Sequence, residues 1–81
     1  MKIFVLFFGP ARLLTGRDEQ DLELSDGSTV ADAVSVLFCE HPRLQAIKDC
    51  LRYAADTEYV EATTPLSSGC TLALIPPVQG G

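Results

Sequence analysis

The sequence predicts one small α+β domain, in which a mixed sheet carries one main helix on one of its faces. Two apolar runs, residues 2–8 and 70–75, have the composition of strands buried at the centre of a sheet. Residues 30–38 between them have the periodicity of an amphipathic helix. The chain has 81 residues and is 47% hydrophobic, which is enough for one core.

Alternation divides the first strand into two faces. Lys2 requires water, so the residues that share its side should face away from the core, and those of the opposite side should be buried. The predicted core side is Ile3, Val5 and Phe7, and the predicted outer side is Lys2, Phe4, Leu6 and Phe8. Gly9-Pro10 ends this strand, and residues 11–16 could form one helical turn that ends on glycine. Residues 20–24 alternate polar and apolar side chains, which predicts a second strand, antiparallel to the first.

The main helix has a start signal and a stop signal. Asp26-Gly27 predicts a turn, Thr29 stands at the N-cap position, and Asp32 three residues later forms a partial capping box. Pro42 ends the helix. The apolar stripe predicted to face the sheet is Val30, Ala33, Val34, Leu37 and Phe38. Residues 43–49 could add a short turn that buries Leu44 and Ile47.

Residues 51–75 predict the rest of the sheet. Two short β-like runs flank Asp56-Thr57, which is consistent with a hairpin, and residues 65–69 form a loop before the last strand. In that strand, Leu72 and Leu74 should face the core, and Thr71, Ala73 and Ile75 the other way. The first and last strands are the most apolar, so we expect them to be adjacent and parallel at the centre of the sheet.

One helix can cover only one face of a sheet, so the other face should be open. The outer residues expected there are Phe4, Leu6, Phe8, Ala73 and Ile75. A contiguous apolar patch on a small protein typically marks a binding surface. We expect Phe8 and Ile75 to anchor a partner there.

The residues after the last strand suggest an arm that carries a reactive carboxylate. Pro76 and Pro77 end the strand and keep the chain extended, and Gly80-Gly81 could enter a slot too narrow for any side chain. We therefore divide the chain into a domain of residues 1–75 and an extended C-terminal tail of residues 76–81. The alternative is a frayed, inert end. Because a carboxylate is a poor electrophile, a partner enzyme would have to activate it with ATP.

Composition and charge argue against several function classes. A net charge of −5 disfavours nucleic acid and anionic membrane surfaces as partners, and favours a partner that presents Lys or Arg. No run approaches the ~20 apolar residues of a membrane span, and the apolar start is interpreted as a core strand, since a signal-type cleavage would remove it. Three cysteines without metal-ligand spacing indicate free thiols in a reducing, cytoplasmic setting.

The side chains offer little catalytic chemistry of their own. His41, the one histidine, is expected to be a solvated residue near the helix end, without a nucleophile beside it. Cys39 and Cys70 are expected to be small buried apolar residues. The acidic residues 18–23 lack calcium-loop spacing, and no glycine-rich phosphate loop is present, so we expect neither a metal nor a nucleotide cofactor bound by this chain.

Two motifs resemble those of one family. Ile75-Pro76-Pro77-Val78-Gln79-Gly80-Gly81 resembles the terminal signature of MoaD-type sulfur carriers, the small subunits of molybdopterin synthase in the MoaD/ThiS family. Residues 5–8 and 11–14 resemble that family's first strand and turn, and the length and element order match across essentially the whole chain. The resemblance implies a β-grasp (ubiquitin-like) fold. One departure is residues 54–57, which read Ala-Ala-Asp-Thr where the family usually has Ala-Val-Asn.

The resemblance also implies a function for the tail. An E1-like enzyme that uses ATP would adenylate Gly81, and a sulfur donor protein would allow conversion to a thiocarboxylate. The large subunit of a heterotetrameric synthase would then receive the tail, which donates sulfur to precursor Z (cyclic pyranopterin monophosphate) to form the molybdopterin dithiolene. Gly80 would be the indispensable neighbour of Gly81. The expected partner-binding residues are Phe8, Ile75, Pro76, Pro77, Val78 and Gln79.

Two other functions share these features. The first is a related diglycine protein, either a ThiS-type carrier for thiazole synthesis or a ubiquitin-like modifier, although these typically lack the double proline. The second is a β-grasp interaction module without catalytic function, in which the tail is inert. An incubation with ATP and an activating enzyme would separate the second from a carrier.

Overall fold

The computed structural model of the chain describes residues 1–76. They form an α+β fold with a five-stranded mixed sheet, as predicted. In chain order the elements are β1 Lys2–Phe7, α1 Pro10–Thr15, β2 Glu19–Glu23, α2 Val30–Glu40, a 3-10 helix Pro42–Cys50, β3 Arg52–Ala55, β4 Glu58–Val60 and β5 Thr71–Ile75. No helix within residues 1–76 is both long and apolar enough to cross a bilayer.

The strand order is β2-β1-β5-β3-β4. β1 and β5 are parallel neighbours, with Val5 opposite Leu72, and the other pairings are antiparallel. The predicted central pair is therefore confirmed. Because β1 and β5 are parallel, both run toward the same end of the sheet, where β1 leads into α1 and β5 leads into the tail.

The start of α2 has the predicted cap. The hydroxyl of Thr29 accepts a hydrogen bond from the backbone N–H of Asp32 at 3.3 Å, and the carboxylate of Asp32 accepts one from the N–H of Thr29 at 2.9 Å. This reciprocal pair satisfies two backbone donors that a helix leaves unpaired at its first turn. At the other end, α2 closes on His41, directly before Pro42.

The core lies between α2 and one face of the sheet. Its residues from the sheet and the helices are buried as the alternation and the helical stripe predict: Ile3, Val5, Phe7, Val30, Ala33, Leu37, Leu44, Leu72 and Leu74. Val34, Phe38 and Ile47 are half-buried against this cluster. Cys70 is buried with it, as expected.

Two predictions about single side chains are wrong. Cys39 is exposed, because it lies two residues beyond buried Leu37, roughly 200° around the helix. His41 is half-buried and not solvated: its Nε2 lies 2.8 Å from Oε1 of Gln20, and its ring packs edge-on against Phe7 with centroids 5.8 Å apart. Both contacts come from strands distant in sequence, so residues near His41 do not reveal them.

Candidate functional site

The face of the sheet opposite α2 carries an apolar groove, which we call the open-face groove. Its volume is about 550 Å³. Strands β1, β5, β3 and β4 and the β3–β4 turn contribute its lining: Leu6, Phe8, Ala54, Asp56, Thr57, Tyr59, Thr71, Ala73 and Ile75. The groove exists because these strands carry apolar side chains on both of their faces, whereas the described residues place helices over only one.

Aromatic side chains are the most exposed apolar groups on this face. Phe8 is 46% exposed and Phe4, beside the groove on β1, is 42% exposed. The ammonium of Lys2 lies 5.8 Å from the centroid of the Phe4 ring, within the range of a cation–π contact. A partner that covered Phe8 would remove a large apolar area from water, which is the main favourable term in association.

The β3–β4 turn forms the rim of the groove at the start of β5. Asp56 and Thr57 both have positive φ, 48° and 74°, and for a β-branched residue such as threonine this conformation is an outlier. Asp56 is bonded twice to Thr71: its N–H donates to the carbonyl of Thr71 at 2.9 Å, and its carboxylate accepts from the N–H of Thr71 at 3.0 Å. These bonds attach the turn to β5 and place the side chains of Asp56 and Thr57 at the groove.

The edge of the open face along β2 is acidic. The β1–β2 register places Glu19 opposite Leu6, Asp21 opposite Phe4 and Glu23 opposite Lys2. Since paired residues share a face, the three exposed carboxylates form a row beside the apolar side chains of β1 on the open face. Asp21 is paired with Lys2 at 3.1 Å. The arrangement favours a partner surface with an apolar centre and basic groups along one margin.

The groove lies where the tail begins. Ile75, the last residue of β5, lines it, and Pro76 follows, half-buried. Pro76 packs against Gly9, where the chain leaves β1. The structure thus brings Phe8, Ile75 and Pro76 close together, and their role in binding a partner stays a prediction. Pro77, Val78, Gln79, Gly80 and Gly81 lie outside the described residues, so their predicted roles, and the division of the chain at residue 75, stay predictions.

The titratable side chains of residues 1–76 form no cluster typical of a metal centre. No group of three or more His, Cys, Asp or Glu side chains in this part of the chain could hold a metal ion. Burial raises the pKa of the Tyr53 hydroxyl above 10.0, but Tyr53 lies on the helix side of the sheet, away from the groove. The apolar lining of the groove and the exposed Phe8 suit recognition of a partner.

Comparison with known proteins identifies the family. The profile of the ThiS family matches residues 5–81. The chain belongs to the ThiS family. A molybdopterin synthase sulfur carrier subunit of Chlamydomonas reinhardtii is 35% identical to it over 83 aligned positions, with 100% of both chains covered.

Solved structures extend the similarity to the fold. SAMP1 from Haloferax volcanii superposes with a TM-score of 0.90 at 24% identity, covering 100% of both chains. A chain in the complex of subunits 1 and 2 of the molybdopterin-converting factor from Helicobacter pylori gives a TM-score of 0.74 at 24% identity, also with 100% of both chains covered. The predicted β-grasp (ubiquitin-like) fold of this ThiS-family chain is confirmed.

Several residues of the open-face groove are not predicted from the sequence. The two-residue turn at Asp56-Thr57 implies that Ala54 faces Tyr59 across the hairpin, and this register is the signal that could have placed Tyr59 on the open face. That placement requires the sheet order as well, because it is the β3–β5 pairing, with Ala54 opposite Ala73, that brings the hairpin beside β5. The contact of Gly9 with Pro76 has no local signal, since the two residues are far apart in sequence.

Proposed function

We propose that this chain is the sulfur-carrier subunit of a cytoplasmic molybdopterin synthase. The observation that carries the proposal is an apolar docking groove that ends at Ile75, at the root of the diglycine tail. Full-length similarity to a molybdopterin synthase sulfur carrier subunit supports it. A binding surface joined directly to the tail suits a protein whose partners must hold the domain while they react with Gly81.

The open-face groove would dock the large subunit of the synthase. Subunits 1 and 2 of the Helicobacter pylori factor form a complex, and its similar chain supports this assignment. Phe8 and Ile75 would bury their side chains at the centre of the interface, where a few residues contribute most of the binding energy. The carboxylates of Glu19 and Glu23 would face basic groups of the large subunit, which favours fast and correctly oriented association.

The tail would supply the reacting atoms. An E1-like enzyme would join the carboxylate oxygen of Gly81 to the α-phosphate of ATP and release pyrophosphate. A donor that delivers sulfur at the oxidation level of sulfide would then form a C–S bond as the C–O bond to AMP breaks. In the synthase, the acyl C–S bond breaks as a new C–S bond replaces a C–O bond of precursor Z, and water returns an oxygen to the acyl carbon. The donor gives up sulfur at the oxidation level of sulfide, and precursor Z receives it at the same level. The sequence of steps therefore requires no oxidant.

Deletion of Gly81 is the sharpest test of this function. It keeps a terminal carboxylate but withdraws it by one residue, roughly 3.5 Å. Because a displacement of even 1 Å can cost on the order of a hundredfold in rate, we expect the shortened chain to bind the large subunit normally yet form no thiocarboxylate. The measurement is intact mass after incubation with ATP, the activating enzyme and sulfide, where the full chain gains the mass difference between sulfur and oxygen.

The same assay separates the other functions. A full chain that never changes mass would indicate an interaction module with an inert tail. A chain that becomes a thiocarboxylate but yields no dithiolene with the large subunit and precursor Z would indicate a different carrier pathway. Sulfur transfer at the full rate by the shortened chain would refute the role of Gly81. Gly80→Ala should impair both adenylation and sulfur transfer without unfolding the domain, because its methyl group would obstruct a narrow channel.

A further inference from the structure

Gly9 stands at the corner where β1 turns into α1, beside the residue at which the tail leaves β5. Its backbone has φ 52° and ψ −127°, a conformation that residues with a Cβ rarely adopt. Its carbonyl accepts a hydrogen bond from the N–H of Leu13 at 3.2 Å, which begins α1. The N–H of the preceding residue, Phe8, donates to the carbonyl of Leu74 at 3.3 Å, which extends the β1–β5 pairing to this corner.

The missing side chain of Gly9 makes room for Pro76. A Cβ at Gly9 would lie 3.0 Å from Cγ of Pro76, 3.6 Å from its Cβ and 3.8 Å from its Cδ. Carbon atoms in contact prefer about 3.5–4.0 Å, so a methyl group would push the proline ring away from the corner. A change of ring pucker moves Cγ alone, because Cβ and Cδ are bonded directly to backbone atoms of Pro76, so a shift beyond a few tenths of an ångström must move the backbone. A displaced ring therefore displaces the backbone from which the tail continues.

Among the glycines of residues 1–76, this contact is particular to Gly9. Gly16, Gly27 and Gly69 also have positive φ, but a Cβ at any of them would meet no atom within 4 Å. They are explained by the turns they occupy, whereas Gly9 is constrained by its backbone and by a neighbour from the tail.

We propose that Gly9 is a positioning residue that directs the C-terminal tail by letting Pro76 pack against the β1–α1 corner. This inference rests on the proposed function and extends the docking role of the open-face groove from the large subunit to the activating enzyme, which must also reach Gly81. With the domain held through Phe8 and Ile75, the direction of the chain at Pro76 determines where Gly81 can reach. A bulkier residue at position 9 would leave the docking anchors Phe8 and Ile75 in place and misdirect the reacting end.

The test compares Gly9→Ala with Gly16→Ala in the full chain. Both variants place a methyl group on a positive-φ backbone, but only the first meets Pro76. For adenylation by the activating enzyme, we expect Gly9→Ala to lower kcat about tenfold or more and to change KM by a smaller factor, because the groove anchors Phe8 and Ile75 are unchanged. Gly16→Ala should leave both constants within about twofold of the wild type. Urea unfolding of each variant confirms that the assayed chain is folded.

A cycle with Pro76→Gly separates the contact from backbone strain. Removing the ring removes the atoms that a methyl group at position 9 would meet, so Gly9→Ala should slow adenylation much less in the Pro76→Gly background. If instead its effect is the same in both backgrounds, strain alone explains it and the inference is overturned. Gly16→Ala should give the same small effect in both backgrounds.

An NMR measurement tests the geometry without any enzyme. In the wild type we expect nuclear Overhauser effects between the Hα protons of Gly9 and the ring protons of Pro76. In Gly9→Ala we expect these effects to be lost and the residual dipolar couplings at Pro76 and Gly80 to change. Unchanged couplings would overturn the inference even if the wild-type tail proves unreactive. If the wild type reacts and Gly9→Ala matches Gly16→Ala, the positioning role fails while the carrier function stands.

Discussion

The two faces of the sheet use alternate residues of the same strands, yet they differ in what covers them. On β5, Leu72 and Leu74 are fully buried under the helices, while Ala73 and Ile75 between them line the open-face groove. On β1, Val5 is fully buried, and Phe8, directly after the strand, is 46% exposed. Both faces are apolar, so hydrophobic content alone does not distinguish a core from a binding surface. The difference is that helices of this chain cover one face, and we propose that a second protein covers the other.

The largest effect should come from a truncation on the covered face. Leu72→Ala removes buried methyl groups from the middle of the core, and such changes lower the free energy of unfolding by about 2–5 kcal/mol. Urea unfolding followed by circular dichroism measures this loss. Binding of the large subunit by the folded fraction should be unchanged, since Leu72 does not reach the groove.

Leu13→Ala is the matched control, because Leu13 is 82% exposed on α1. It makes the same chemical change outside both faces, and it should alter the free energy of unfolding by no more than about 0.5 kcal/mol. Equal losses in the two variants would contradict the division between a packed face and an open one.

On the open face, a charge should affect binding more than folding. Phe8→Asp or Ile75→Asp would place a carboxylate at the centre of the proposed interface and should weaken the complex with the large subunit by about 2 kcal/mol or more. Titration calorimetry measures the affinity. The free domain should lose much less stability, because Phe8 is already partly solvated. Leu13→Asp adds the same charge away from the groove and should bind normally.

An unfolded Phe8→Asp chain would contradict the distinction between a face that stabilises the fold and a face that binds a partner. That result would mean that Phe8 belongs to the core and that the open face contributes to folding as the covered face does.

Alternation along the strands was sufficient to predict the two faces, but not the full groove. For β1 and β5 the side of each residue follows from period two, and Lys2 decides which side meets water. The capping pair Thr29 and Asp32 is equally local, which is why the start of α2 is predicted correctly. Local rules end where the partner of a residue lies elsewhere in the chain.

The surroundings of Tyr59, His41 and Gly9 depend on such distant neighbours, whereas the exposure of Cys39 is a local consequence of its position on α2. Tyr59 lines the groove because β3 pairs with β5, and His41 is half-buried because β1 and β2 bring Phe7 and Gln20 to it. Gly9 is constrained by Pro76 only because β1 and β5 are parallel and end side by side. The family resemblance predicts the fold as a whole, but it does not specify these pairs of side chains.

The smallest effect that we expect is a difference in ionisation between the two tyrosines, which lie on opposite faces of the sheet. Tyr53 lies on the helix side, where burial raises the pKa of its hydroxyl above 10.0, and Tyr59 lies on the open face, 65% exposed. The chain has only these two tyrosines and no tryptophan, so a Tyr59→Phe variant isolates the ionisation of Tyr53 in the ultraviolet spectrum. Its midpoint should lie higher in the folded chain than in the same chain unfolded in guanidinium chloride.

This shift has a consequence for stability with a definite sign. Above the pKa of the unfolded chain, about 10, the folded state binds more protons at Tyr53 than the unfolded state does, so the free energy of unfolding falls as pH rises. The contribution of Tyr53 is complete below that pH and is lost as pH rises through the folded-state pKa. Tyr53→Phe should therefore flatten the alkaline fall in urea midpoints relative to Tyr59→Phe. If the titration midpoint of Tyr53 in the folded chain is at or below that in the unfolded chain, Tyr53 is as accessible to water as an open-face residue. The contrast between the two faces would then not extend to β3.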